Sequence, residues 1–117
     1  MINLKRIYNN NHDDDIRILV DRLWPRGVSK KDAELDEWLK EIAPGNELRK
    51  WYSHDISKWE IFKTRYKDEL SNKLELVEKI LEYERNYDSV TLLYAAKDND
   101  HNNAIVLKEY LEEHRNG

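Results

Sequence analysis

The chain has 117 residues, 24 acidic against 20 basic side chains, a formal net charge of −4 and no cysteine. That length suits a single domain over residues 1–117, because one core is commonly built from roughly 100 to 150 residues. The missing thiol removes disulfides, thiolate nucleophiles and cysteine-based zinc or iron–sulfur sites. The negative balance disfavours nucleic acid as a partner of the whole surface. No stretch approaches the roughly 20 apolar residues of a membrane span, and Met1 to Lys5 shows no signal-peptide core, so no membrane association and a cytoplasmic location are expected. Oligomeric state is not legible from composition.

In chain order, Ile2, Leu4 and Arg6 alternate with Asn3, Lys5 and Ile7, a weak strand pattern that ends in the polar run Asn9 to Asp15. That run reads as a solvated, hairpin-like connection; it lacks the Gly and terminal Glu of a calcium loop. Ile16 to Val20 is a stronger strand, rich in β-branched residues and bounded by Asp15 and Asp21. Ser29 is placed to cap a short helix over Lys30 to Leu35, with Asp32 at its favourable end. Glu37 to Ile42 is ambiguous between helix and strand, and α/β order favours a strand closed by Pro44-Gly45.

Leu48, Trp51 and Tyr52 predict one or two helical turns. Ser57 with Glu60 has capping-box spacing before Trp59, Phe62, Tyr66 and Leu70, and Asn72 with Glu75 repeats it before a helix to about Asn86. Val90 to Ala96 is a continuous apolar run, the pattern of a strand covered on both faces. Lys97 to Asp100 then leads into a last helix carrying Ala104, Leu107, Tyr110 and Leu111. Strand–turn–helix units of this kind imply an α/β fold: a small, mainly parallel sheet flanked by helices in a three-layer sandwich.

Ligands of parallel sheets bind beyond the carboxyl ends of the strands. The two strongest strands run there into Asp21-Arg22-Leu23-Trp24-Pro25-Arg26-Gly27 and Lys97-Asp98-Asn99-Asp100-His101-Asn102-Asn103. Arg22 and Arg26 carry planar forks suited to carboxylate or phosphate, and Trp24 offers a stacking face. The ordinary alternative is that Asp21 pairs with an arginine while Trp24 plugs the end of the core. Asp98, Asp100 and His101 match no established metal-ligand spacing, and Asp or Asn there equally serves as the N-cap of the last helix, so no metal is assigned. His101 is suited to acid–base work near neutral pH, or is an idle surface histidine. Arg49, Lys50, His54 and Asp55 around Trp51 and Tyr52 fit either an aromatic–basic binding surface or a packed amphipathic helix. Neither a Gly-rich phosphate loop nor a Gly-x-Ser-x-Gly elbow is present, and no cofactor is expected.

Asp21 to Gly27, Ala43-Pro44, Glu47 to Tyr52, Trp59 with Phe62 and Arg65-Tyr66, and Leu92 to Asp98 followed by His101-Asn102 together resemble the YeaO-like group of domain of unknown function family 488. The resemblance covers about Ile2 to Leu111 and implies no established reaction. The wider family is similar in layout to the rhodanese-like fold, whose later strand–loop–helix often carries Cys-His-Arg. Here that loop reads His101-Asn102-Asn103, which excludes a persulfide-carrying role. Three functions follow as expectations. The first is a module binding a small anionic ligand, phosphate or carboxylate, through Arg22, Trp24, Arg26, Arg49, Lys97, Asp98 and Asn102. The second is an enzyme with Asp21 or His101 transferring protons, and the third is a protein or nucleic-acid interaction module around Arg49 to Trp59.

Overall fold

Ile2, Ile16 and Val90 stand side by side in one register of a single sheet. The computed structural model describes residues 1–9 and 11–117. Its strands are β1 (Ile2–Arg6), β2 (Ile16–Leu19), β3 (Glu37–Trp38) and β4 (Val90–Tyr94), in the order β1-β4-β2-β3, every pair parallel. The helices are α1 (Lys30–Ala33), α2 (Asn46–Tyr52), α3 (Trp59–Leu70), α4 (Leu74–Asn86) and α5 (Asn103–Asn116).

Side chains alternate across the pleat, and the sequence uses both faces. Ile2, Ile16, Ile18, Val20, Val90, Leu92 and Tyr94 point into the larger core, against Phe62 and Tyr66 of α3, Val77 and Ile80 of α4, and Val106, Leu107 and Leu111 of α5. Ile7, Leu19 and Leu93 point the other way, onto Ala33, Trp24 and Trp38. The three layers are therefore unequal: four helices cover one face, and the single turn of α1 with its flanking loops covers the other. All five residues of β4 and all four of β2 are buried, as expected of central strands of a parallel sheet.

The connection from β1 to β2 is not a hairpin, because β4 lies between them and all three run the same way. The segment must instead return along the sheet, and Asp14 fixes its end. The Asp14 carboxylate accepts from Lys5 Nζ at 2.8 Å, Thr91 Oγ1 at 2.8 Å and Arg17 Nη1 at 2.6 Å, joining β1, β4 and β2 on one face. Burial opposes its charge, but the bonds from Lys5, Thr91 and Arg17 outweigh that and hold its pKa below the ordinary carboxylate value. The expected solvated loop thus contains a buried acid; Asn10 of that run lies outside the described residues.

Other boundaries shift for local reasons. Only Glu37 and Trp38 of the expected third strand pair with β2, and Lys40–Ile42 tightens into a 3₁₀ turn. Ser29 caps α1 as expected, accepting from Asp32 N–H at 3.0 Å, but the helix stops at Ala33 because Glu34 turns left-handed at φ 48°. Neither capping box forms. Asp55 takes the Ser57 N–H and hydroxyl, opening a 3₁₀ turn over Ile56–Lys58 before α3. Asn72 bonds back to Asp68 O, and α4 starts behind Lys73 without a side-chain cap. No helix among the described residues is long and apolar enough to cross a membrane.

Candidate functional site

With every strand parallel, the loops after β1, β2 and β4 open on one edge of the sheet, and a cleft of about 880 Å³ lies there. Asp21, Arg22, Trp24, Arg26, Arg49, Lys97, Asp98, His101 and Asn102 all line it. The two expected walls are tied directly together. Asp21 Oδ2 accepts the Ala95 N–H at 2.8 Å, and Asn103 Nδ2 donates to Val20 O at 2.9 Å. Asp21 carries no arginine partner among the described residues. Burial raises its pKa above the ordinary carboxylate value, against the opposing pull of the Ala95 N–H, Asn103 and His54.

A third wall is the turn Ile42 to Gly45, pinned from four sides. Arg22 donates from Nε to Pro44 O and from Nη2 to Ala43 O, each at 3.1 Å, with Glu41 3.6 Å from Nη1. Tyr66 Oη donates to Ile42 O at 2.7 Å, Lys73 Nζ to Ala43 O at 2.9 Å, and Gly45 N–H to Glu69 Oε1 at 2.8 Å. The Arg22 fork is thus spent on the protein's own carbonyls, and what it adds to the cleft is charge. Trp24 donates to Val28 O at 2.7 Å and meets Trp38 edge-on at 5.3 Å, closing the smaller core as the ordinary reading of this residue anticipates. Arg26 and Lys97 are exposed at the rim, while Gly27 makes the loop's left-handed turn at φ 73°.

On the β4 side, Asp98 organises the loop. Its Oδ1 accepts from Asp100 N–H at 2.8 Å and His101 N–H at 3.1 Å, and its Oδ2 lies 3.0 Å from His101 Nδ1. The Asp100 N–H, ahead of the opposing effect of burial and the help of His101, holds the Asp98 pKa below its ordinary value. The contact engages Nδ1 and orients the imidazole, while the ring packs edge-on against Trp59 at 5.2 Å. Asn102 is occupied at both ends, accepting from Ile105 N–H at 3.1 Å as the N-cap of α5 and donating to Asp98 O at 3.0 Å. No group of three or more metal-ligating side chains is assembled among the described residues.

A family model described as DUF488-N3i, the inactive DUF488-N3 subclade, matches residues 1–116. The chain belongs to that family. The uncharacterized protein YeaO of Escherichia coli K12 is 40% identical over 111 residues, covering 94% of this chain and 96% of YeaO. The uncharacterized proteins Rv3073c of Mycobacterium tuberculosis H37Rv and Mb3100c of Mycobacterium bovis are each 40% identical over 78 residues, 66% of this chain and 66% of each relative. No solved structure gave a significant match.

The cleft of this DUF488-N3i chain includes groups that sequence reasoning did not assign to it. Arg6 reaches it from the end of β1, donating to Ala95 O at 3.1 Å and Ala96 O at 3.2 Å. Parallel order places a third strand end on that edge, which a hairpin-like connection from β1 to β2 would not. Tyr52, read as core, lines the cleft with its hydroxyl buried and without a partner among the described residues, and Arg49 Nε is in the same state. A buried polar group without a partner costs about 1–3 kcal/mol. Burial first, then the charges of Asp98 and Asp55, raise the Tyr52 pKa. Ser53 (φ 43°) and His54 (φ 58°), two consecutive left-handed residues that are not glycine, complete this side. Trp51 and Trp59 are half-buried; Lys58 Nζ and Arg65 lie 5.0 and 4.5 Å from the centre of the Trp51 ring.

Proposed function

We propose that this protein binds a small anionic ligand, a phosphate or carboxylate, in the cleft at the carboxyl edge of its sheet. One observation carries the reading: on a chain of net charge −4, the cleft is lined, among the described residues, by six cationic side chains (Arg6, Arg22, Arg26, Arg49, Lys50 and Lys97) and two carboxylates. Of those two, Asp98 is engaged by His101, and Asp21 accepts the Ala95 N–H. Apolar walls from Trp24, Pro25, Pro44 and Phe62 give the ligand a body to match its charged head, and the volume falls within the range of roughly 300–1,000 Å³ typical of small-molecule sites. The pinned Ile42 to Gly45 turn favours a preshaped site, which lowers the ordering cost of binding.

A thermal-shift screen of phosphorylated and carboxylated metabolites tests this. A specific ligand at 100 times its dissociation constant adds about 2.7 kcal/mol of stability. Stabilisation that persists in Arg26→Ala and Lys97→Ala proteins counts against this location, and a screen without stabilising compounds counts against the function.

Proton-transfer catalysis is the second reading, favoured by the 3.0 Å Asp98–His101 contact and the raised Asp21 pKa. The inactive label of the family weighs toward binding without turnover.

A further inference from the structure

Within the anion-binding reading, on which this inference rests, we propose that Arg49 and Tyr52 form the head-group subsite and that the head group is a carboxylate on an aromatic or apolar body. The two residues lie three positions apart on α2, so their side chains rise from one helix face, and both line the cleft. Tyr52 is only 6% exposed, and its hydroxyl finds no acceptor among the described residues. The Arg49 Nε–H is likewise buried and unpartnered, while its Nη2 contacts Asn46 Oδ1 at 3.4 Å. Two unpartnered groups that can each donate suit an oxyanion, the Tyr52 hydroxyl giving one bond and the Arg49 Nε–H the other.

The surroundings choose between the oxyanions. A planar carboxylate offers two oxygens and one negative charge, matching one hydroxyl donor and one guanidinium edge. A phosphate monoester brings nearly two charges, and the acids on this side oppose the second: after burial itself, the charges of Asp98 and Asp55 raise the Tyr52 pKa. The basic groups on this side are Arg49, on the same helix, and His54, whose ring lies 6.2 Å from that of Tyr52. Behind the hydroxyl the wall is aromatic. Tyr52 stacks on Phe62 at 4.3 Å and meets Trp59 at 5.9 Å, which fixes its ring, while Trp24, Pro25 and Pro44 of the cleft lining suit a ring or alkyl body.

The test titrates the intact protein with benzoate, acetate, phenyl phosphate and inorganic phosphate, following heat and the arginine Nε–Hε NMR signals. Benzoate is expected to bind more tightly than phenyl phosphate and to move the Arg49 Nε–Hε signal. Tyr52→Phe, which keeps the ring stack, weakens benzoate by about tenfold, the effect of one lost hydrogen bond to a charged group. The same variant, unliganded, melts no lower than wild type, because no protein hydrogen bond is removed; a purely structural hydroxyl would give the opposite. Arg49→Lys keeps the charge, loses the planar N–H and weakens benzoate as well. Benzoate affinity unchanged in both variants, or phenyl phosphate bound more tightly than benzoate, overturns the subsite. If the probes still bind through Arg26 and Lys97, the cleft reading survives that failure. If none of the four probes binds, both readings fall.

Discussion

Asp21 Oδ2 sits 2.8 Å from the Ala95 amide nitrogen, so one carboxylate joins the loop after β2 to the end of β4 and holds the two walls of the cleft in register. The same burial that makes the contact raises the Asp21 pKa. A carboxylate with a raised folded pKa stabilises the fold below its unfolded pKa, and that contribution is lost as pH rises through the folded value.

Asp21→Asn keeps an acceptor for the Ala95 N–H and removes the charge. Its stability relative to wild type is expected to improve as pH rises from 4 to 7, by chemical denaturation at each pH. Asp21→Ala leaves the Ala95 N–H without its partner and costs about 1–3 kcal/mol. A wild-type advantage over Asn that grows with pH would contradict the assignment.

Asp14 behaves in the opposite sense. Its folded pKa is lowered, so its contribution is present above the unfolded value of 3.8 and is lost as pH falls through the folded one. Its partner Arg17 has a side chain only 5% exposed. Asp14→Ala therefore strands a buried guanidinium and costs about 3–5 kcal/mol, measured by urea unfolding at neutral pH. Asp14→Asn flattens the loss of stability on acidification below that pH.

How much of this was legible follows from where the information lies. Val90 to Tyr94 and Ile16 to Leu19 announce buried strands by unbroken apolar runs, and their loops by dense Arg, Trp, Pro and Asp. The strand order was not legible, because nothing near Asn9 to Asp15 reveals that β4, more than seventy residues later, inserts between β1 and β2. Asp14 was misread for that reason: its partners Thr91 and Lys5 become neighbours only in the folded sheet. Tyr52 was legible in part. Its helical spacing with Leu48 correctly indicates burial, but periodicity places a ring in a core without saying where its hydroxyl ends. The capping pattern at Ser57 failed because Asp55 took its N–H and hydroxyl, and at Asn72 the side-chain amide turns back to Asp68 O while α4 begins behind Lys73.

Arg22 is expected to act on shape. Arg22→Ala leaves Pro44 O without its arginine partner and Ala43 O held by Lys73 alone, and the loss of two hydrogen bonds from a charged donor lowers stability by about 2–4 kcal/mol. Arg22→Lys recovers less than half of that, since an ammonium does not reproduce the fork. Thermal denaturation of the two variants compares them; equal stability of Lys and wild type would show that the fork is unimportant.

Ser53 and His54 hold left-handed backbone beside the cleft. Ser53→Gly relieves that conformation and raises stability by about 0.5–1 kcal/mol, read from the urea midpoint. A loss of stability would mean that the Ser53 side chain contributes more than its backbone strain costs.

The anion cleft itself is tested most directly by calorimetric titration of the best screened ligand at low and high salt, with wild type and the Arg26→Ala/Lys97→Ala double variant. Saturable one-to-one binding to wild type is expected, weakened by salt because the rim cations are exposed and weakened about tenfold or more in the double variant. Binding that ignores both salt and the double substitution would contradict the assignment of this cleft as the anion site.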